Sequence, residues 1–167
     1  MDLLTHALSG VLIASAMPQC SLLEKSMIVA GTIIPDIPFG KTFLTIAKLA
    51  RKSVFKINME DFAKFGPKVV SKLHTYWSFH SFFFLAILAV SEFLLTNAFF
   101  LTIGWACHLL YDLPSHNYKE EEFKPKPLYP LSISFDIGMT NGWKIKPQTY
   151  AIVWGIHILL IILITNY

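Results

Sequence analysis

The sequence predicts an all-α fold: a membrane-associated helical bundle built from two short helical hairpins plus a C-terminal apolar helix. Three observations predict it. Hydrophobic residues make up 54% of the 167 and charged residues 15%, with mean hydropathy +0.52. Soluble domains average about 45–50% and about 25%. The early apolar stretches run only about fourteen residues between breaks, about 21 Å of helix, short of the roughly 20 residues that a span needs. Histidines and aspartates recur at the ends of those stretches rather than in their middles. The length sets one domain, 1–167, as the default, with enough chain to bury a core.

Taken in order, residues 2–17 read as a helix and Pro18-Gln-Cys-Ser21 as a turn. Residues 22–34 read as a second helix that ends at Pro35. The N-terminus has no basic region ahead of its apolar run, so a cleaved signal peptide is not expected. Residues 41–72 form a basic interfacial segment, with eight Lys or Arg against Glu60 and Asp61. A solvated loop obeying the positive-inside rule explains it. Attraction to anionic headgroups or phosphate substrates is compatible with that reading. Ala47 to Phe55 reads as an amphipathic surface helix, and His74 and Trp77 as part of an interfacial belt.

Ser81 to Tyr111 is the longest apolar run. As one rod of about 46 Å it would separate His80 from His108 and bury Glu92 near a bilayer centre, at a cost of a few kcal/mol. A break at Thr96-Asn97 instead makes a hairpin. His80 and His108 then share one end, and Glu92 falls near the far turn, within reach of water. The hairpin is the favoured reading. Residues 112–149 form an irregular polar segment with Pro114, Pro125, Pro127, Pro130 and Pro147, Lys119–Glu122 being an exposed turn. Asn141-Gly-Trp143 reads as a turn with an anchoring tryptophan. Tyr150 to Ile164 is the best membrane-spanning candidate.

His108 and Asp112 carry the chemistry. A spacing of four puts both on one helix face, one turn apart, where an imidazole and a carboxylate can grip one ion. A carboxylate in such apolar surroundings needs a partner. His6 and Asp36 sit at the open end of the first hairpin, and His80 and His108 at the open end of the second. If the hairpins pack side by side, His6, Asp36, His80, His108 and Asp112 meet at one end of a four-helix bundle, a common setting for metal sites. His116 can fold back to the same end.

The donors are nitrogen and oxygen with no thiolate, which suits zinc, manganese or iron, zinc being the first expectation, with one to three ions. Plainer readings stand beside these. A histidine at a helix end can be a cap, Asp36 a turn initiator, and His108–Asp112 a hydrogen-bonded pair. His157 reads as a packed histidine. Cys20 and Cys107 read as buried, inert thiols. The chain has no nucleophile motif, phosphate-binding glycine loop, dinucleotide fingerprint or nucleic-acid motif.

Thr5-His-Ala-Leu-Ser-Gly10, Ile34-Pro-Asp-Ile37, Phe79-His-Ser81 and His108-Leu-Leu-Tyr-Asp112 follow one another as in the bacterial membrane-bound metal-dependent hydrolases of the LexA-regulated inner-membrane type. Tyr129-Pro-Leu-Ser132 resembles that family's aromatic-proline segment. The resemblance spans about residues 1–143. It extends distantly to the zinc-dependent phospholipase C and single-strand nuclease superfamily, all-α enzymes with zinc held by His and Asp. It implies a membrane hydrolase of a phosphoester such as a phospholipid, in the bacterial inner membrane; the basic 41–72 segment, leaving from the same end, points the site toward the cytoplasm. It implies His6, Asp36, His80, His108 and Asp112 as ligands, His116 as a further one, and Asp36 as the residue that orients or deprotonates water. The chain departs from the family pattern at Pro38, where a second aspartate is usual. It departs again at Thr75-Tyr76, where Arg-Gly is usual. A non-catalytic metal site, structural or ion-handling, is the alternative, and paired-histidine haem ligation a weaker one.

Overall fold

A computed structural model describes residues 3–57, 59–65, 69–115, 126–131 and 147–166. The described residues are helical, with no strand among them. Helix α1 is Leu3–Ser15 and α2 is Leu22–Ile33. Ser21 caps α2, its hydroxyl accepting from the Glu24 N–H while the Glu24 carboxylate accepts from the Ser21 N–H. This reciprocal box satisfies two otherwise orphaned donors and closes the first hairpin at the expected turn.

The second helix does not end at Pro35. It passes through a 3-10 turn, Ile34–Asp36, straight into α3, Ile37–Ala50. Pro35 and Pro38 each fall in the first turn of the element they enter. The missing proline N–H would have no helical partner there, so neither breaks the chain. The expected surface helix over Ala47 to Phe55 is therefore displaced. The helix is α3 itself, ended by Arg51 in the left-handed conformation (φ 54°). A short 3-10 turn, Val54–Lys56, and helix α4, Met59–Phe65, follow.

Helix α5, Val70–Phe79, was not anticipated as an element. The chain bends by 58° between it and α6, Phe82–Thr96, and His80 sits in the bend. Ser81 caps α6 by accepting from the Phe84 N–H. Asn97, again left-handed (φ 54°), ends it, and α7, Phe100–Ser115, returns. The break at Thr96-Asn97 and the second hairpin are as the sequence predicts. Helix α7 runs on through Pro114 to Ser115, so the polar segment begins later than expected. Helix α8 is Pro147–Thr165.

Glu92 corrects one expectation. It is buried, not wetted. Its two oxygens accept from the N–H groups of Leu101 and Thr102 at 2.8 Å each and from the Thr102 hydroxyl at 2.6 Å. The carboxylate thus caps the first turn of α7, where unpaired N–H groups and the helix dipole favour negative charge. Trp77 is likewise buried rather than in a belt, with Lys126 over its ring and exposed His74 against its edge. Cys20 and Cys107 are half-buried free thiols. Burial pushes the Cys107 thiol up, which keeps it protonated and inert.

Helix α2 is the centre of the assembly, packing along α1 on one side and α7 on the other, while α8 lies on α1 and α3 on α4 and α5. Helices α2 and α7 cross backbone to backbone at Gly31 and Gly104. A Cβ on Gly104 would run into the Ile28 carbonyl, and one on Gly31 would stand 3.0 Å from the Gly104 Cα. Small residues at such crossings let helices approach where lipid gives no hydrophobic drive. The outside is strongly apolar. Leu22–Ala50 and Gln148–Thr165 are each long and apolar enough to cross a membrane, and α5 with α6 passes the same test as a bent pair.

The crossing can be tested with a matched pair. Gly104→Ala is expected to destabilise the protein by about 1–3 kcal/mol through overpacking, read as a lowered thermal midpoint in detergent. Gly40→Ala, whose added Cβ meets nothing within 4 Å, should leave the midpoint unchanged or slightly raised.

Candidate metal centre

The crossing glycines set the register of the site. Gly104, His108 and Asp112 lie four residues apart on one face of α7, and His6 and Gly10 lie four apart on α1. One turn beyond the contact, His108 Nδ1 meets the Thr32 carbonyl of α2 at 2.8 Å. A carbonyl can only accept, so Nδ1 carries a proton and Nε2 is the ring atom turned to the cluster. His80 repeats the device: its Nδ1 donates to the Tyr76 carbonyl at 2.9 Å. The bend that holds His80 is fastened to α7 by Trp105, whose Nε1–H donates to the Phe79 carbonyl at 2.8 Å. The Tyr76 ring lies tilted against the His80 ring, with centroids 3.9 Å apart, and His6 stacks on His108 with centroids 4.0 Å apart.

The inward atoms then converge. His80 Nε2 and His108 Nε2 are 2.9 Å apart. Asp36 Oδ1 lies 3.4 Å from His80 Nε2 and 3.7 Å from His108 Nε2. Asp112 Oδ2 lies 3.4 and 3.3 Å from the same two atoms. Ligands about 2.0–2.1 Å from zinc at tetrahedral angles stand about 3.3 Å from one another. Five edges of such a tetrahedron are thus present, and ligand atoms of Asp36, His80, His108 and Asp112 all lie within 4.8 Å of one another.

The second oxygens of both carboxylates turn the other way, toward His6. Its Nε2 is 3.1 Å from Asp112 Oδ1 and 3.9 Å from Asp36 Oδ2. The first distance is short, but the ring does not point an N–H along it. Both His6 nitrogens are buried without a hydrogen-bond partner among the described residues. The Nε2 atoms of His80 and His108 only 2.9 Å apart, the carboxylates crowded beside them and an orphaned buried imidazole together suit a cation in the cluster. These residues could hold a divalent ion.

His6, Asp36, His80, His108 and Asp112 are therefore brought to one place, as the hairpin argument expects. His6, His80, His108 and Asp112 are buried, whereas the Asp36 side chain is 23% exposed. It is the most solvent-exposed member of the cluster. His116, Lys119–Glu122 and the stretch from Phe135 to Trp143 lie outside the described residues. His157 is buried away from the cluster, its Nδ1 donating to the Val153 carbonyl. His74 is exposed and meets the Tyr129 hydroxyl at 3.0 Å. Sequence reasoning missed Thr32 and Tyr76, which act through backbone carbonyls and so leave no residue-type signal. Gly104 was findable, because it lies one turn from His108 on the ligand face.

The family model described as zinc dependent phospholipase C matches residues 3–145, the stretch that contains all five clustered residues. No curated protein and no solved structure matches the chain. On that match, and with a buried His/Asp cluster compatible with a metal, the chain belongs to the zinc-dependent phospholipase C family.

Proposed function

We propose that the protein is a membrane-bound, metal-dependent hydrolase of a phosphoester, a phospholipid in the first instance. Its metal ligands in this reading are His6, Asp36, His80, His108 and Asp112. The observation that carries the reading is the set of inter-ligand distances, 2.9–3.7 Å, with the Nδ1 atoms of His80 and His108 committed to backbone carbonyls. Zinc is the proposed ion on the donor chemistry and the family.

The split carboxylates support two ion positions. The inner set is His80, His108, Asp36 Oδ1 and Asp112 Oδ2. The outer set is His6, Asp36 Oδ2 and Asp112 Oδ1, with His116 as a further donor. Carboxylates that bridge two positions are the usual means of holding paired ions close together.

A divalent ion held by His80, His108, Asp36 and Asp112 would supply acidified water near neutral pH and polarisation of a phosphoryl oxygen. The chain's own residues do the rest. The Thr32 and Tyr76 carbonyls keep two imidazoles in the binding tautomer, as outer-shell acceptors do in metal sites generally. Asp36, the most open carboxylate, would orient the attacking water and accept its proton through Oδ2, the oxygen left free when only the inner position is filled. The apolar exterior supports membrane embedding of 1–167 as one helical unit. The basic segment 41–72 leaves the ligand-bearing end, which supports a site facing the cytoplasm of a bacterial inner membrane. The narrower likeness to inner-membrane hydrolases supports the same location.

Pro38 favours a second reading, a structural or ion-handling metal site, because it occupies the position of a usual family carboxylate. Two measurements separate the readings. Elemental analysis of the purified full chain is expected to find stoichiometric zinc, lost in His108→Ala and kept in His157→Ala. Absence of metal from the unaltered protein would end both readings. Cleavage of p-nitrophenyl phosphorylcholine and of phospholipid vesicles is expected from the metal-loaded protein. Asp36→Asn should slow it by about 10²–10⁴-fold while the inner ion stays bound. Stoichiometric metal with no cleavage of either probe would leave the second reading standing.

A further inference from the structure

Helix α3 presents two faces that differ in kind. Pro38, Thr42, Ile46 and Ala47 are buried, with Ile46 in a cluster with Val69 that Phe39, Phe43, Ile57 and Phe65 cover. This face fixes the helix to its neighbours. Ile37, Lys41, Leu44 and Lys48 form the opposite stripe, at the i, i+4, i+7, i+11 spacing of one helix face. Ile37 is 57% exposed and Leu44 60% exposed, and both lysines are exposed.

The exposed charge around the stripe is predominantly positive. Among the described residues, Lys41, Lys48, Arg51, Lys56 and Lys64 are exposed and make no ion pair. Asp61 is buried and takes both short contacts from Lys52 at 2.8 Å, which leaves Glu60 as the exposed acid of the segment. A merely solvated face would mix signs and would not set large aliphatic residues between its lysines. Water rewards neither the uncompensated cations nor Leu44. A transbilayer path for α3 would carry Lys41 and Lys48 into hydrocarbon, which is costly. An orientation along the headgroup layer satisfies both kinds of side chain at once. Leucine and isoleucine enter the acyl boundary, and the lysine stems snorkel to phosphate.

We infer that the outer stripe of α3 is a docking surface for anionic phospholipid, with Ile37 and Leu44 inserted and Lys41, Lys48 and Arg51 at the headgroups. The inference rests on the membrane association proposed above and is independent of the metal. Because Asp36 immediately precedes α3 as its N-cap residue, the docked stripe would hold the open carboxylate of the cluster at the level of the lipid phosphates. A juxtamembrane Lys or Arg adds about fivefold to attraction toward an anionic surface, and the attraction falls off within a Debye length.

The test uses the full chain with Cys20→Ser, Cys107→Ser and Leu44→Cys, labelled at position 44 with an environment-sensitive fluorophore. It is reconstituted in vesicles of phosphatidylcholine, or of phosphatidylcholine with a third replaced by phosphatidylglycerol. Flotation with the vesicles reads membrane association on its own, and failure to float with either composition overturns the inference together with that association. In floated protein, the label's emission is expected to shift to the blue in the anionic vesicles. It should shift back at about 1 M salt, where the Debye length is about 3 Å. Lys41→Gln with Lys48→Gln should lower the docked-to-undocked ratio about 25-fold, whereas Lys41→Arg with Lys48→Arg should preserve it. Emission that is the same in both lipid compositions, and indifferent to salt, overturns the docking while leaving membrane association intact.

Discussion

Buried imidazoles and carboxylates crowded into one small volume of an apolar bundle demand positive charge among them, and the rest of the structure serves that demand. A carboxylate without a cation or a proton is expensive in such surroundings. So is a buried imidazole without a hydrogen-bond partner, as His6 is among the described residues. The chain does not relieve the crowding by spreading these groups apart. Hydrogen bonds from His80 and His108 to backbone carbonyls hold their Nε2 atoms 2.9 Å apart. Such an arrangement is preorganised for a cation and unfavourable without one. The same logic makes cation binding and folding a single equilibrium in small metal-bearing domains.

The supporting parts are backbone parts. Gly31 and Gly104 bring α2 and α7 into direct contact, which puts the Thr32 carbonyl within reach of His108. The 58° bend between α5 and α6 brings His80 to the pocket instead of carrying it along a straight helix. The 3-10 turn that contains Asp36 does the same for that carboxylate. Glu92 does the corresponding service at the other end of the second hairpin, holding the start of α7 by its N–H groups. Each ligand therefore stands where regular helix is interrupted or where two helices touch.

This pattern explains what could be read from the sequence. The spacing of His108 and Asp112, the break at Asn97 and the positions of His6 and His80 at helix ends are local, and helix geometry alone interprets them. That was enough to foresee two hairpins and one shared pocket. The continuation of the helix through Pro35 was misread, because proline in a first turn looks like a terminator until the register of the next helix is known. Glu92 was misread because its acceptor role depends on a helix nine residues further on. Helix α5 is only ten residues long, too short to be stable by itself, and contact with α3 supports it. The carbonyls of Thr32 and Tyr76 were invisible, since any residue type supplies a carbonyl.

The central claim is that the imidazole nitrogens and carboxylate oxygens gathered at the end of the two hairpins hold a divalent ion. X-ray absorption at the zinc edge of the purified, metal-loaded protein tests it most directly. The account predicts a first shell of nitrogen and oxygen only at about 2.0–2.2 Å, with imidazole outer-shell scattering. A sulfur scatterer at about 2.3 Å, or a shell without imidazole features, would contradict it.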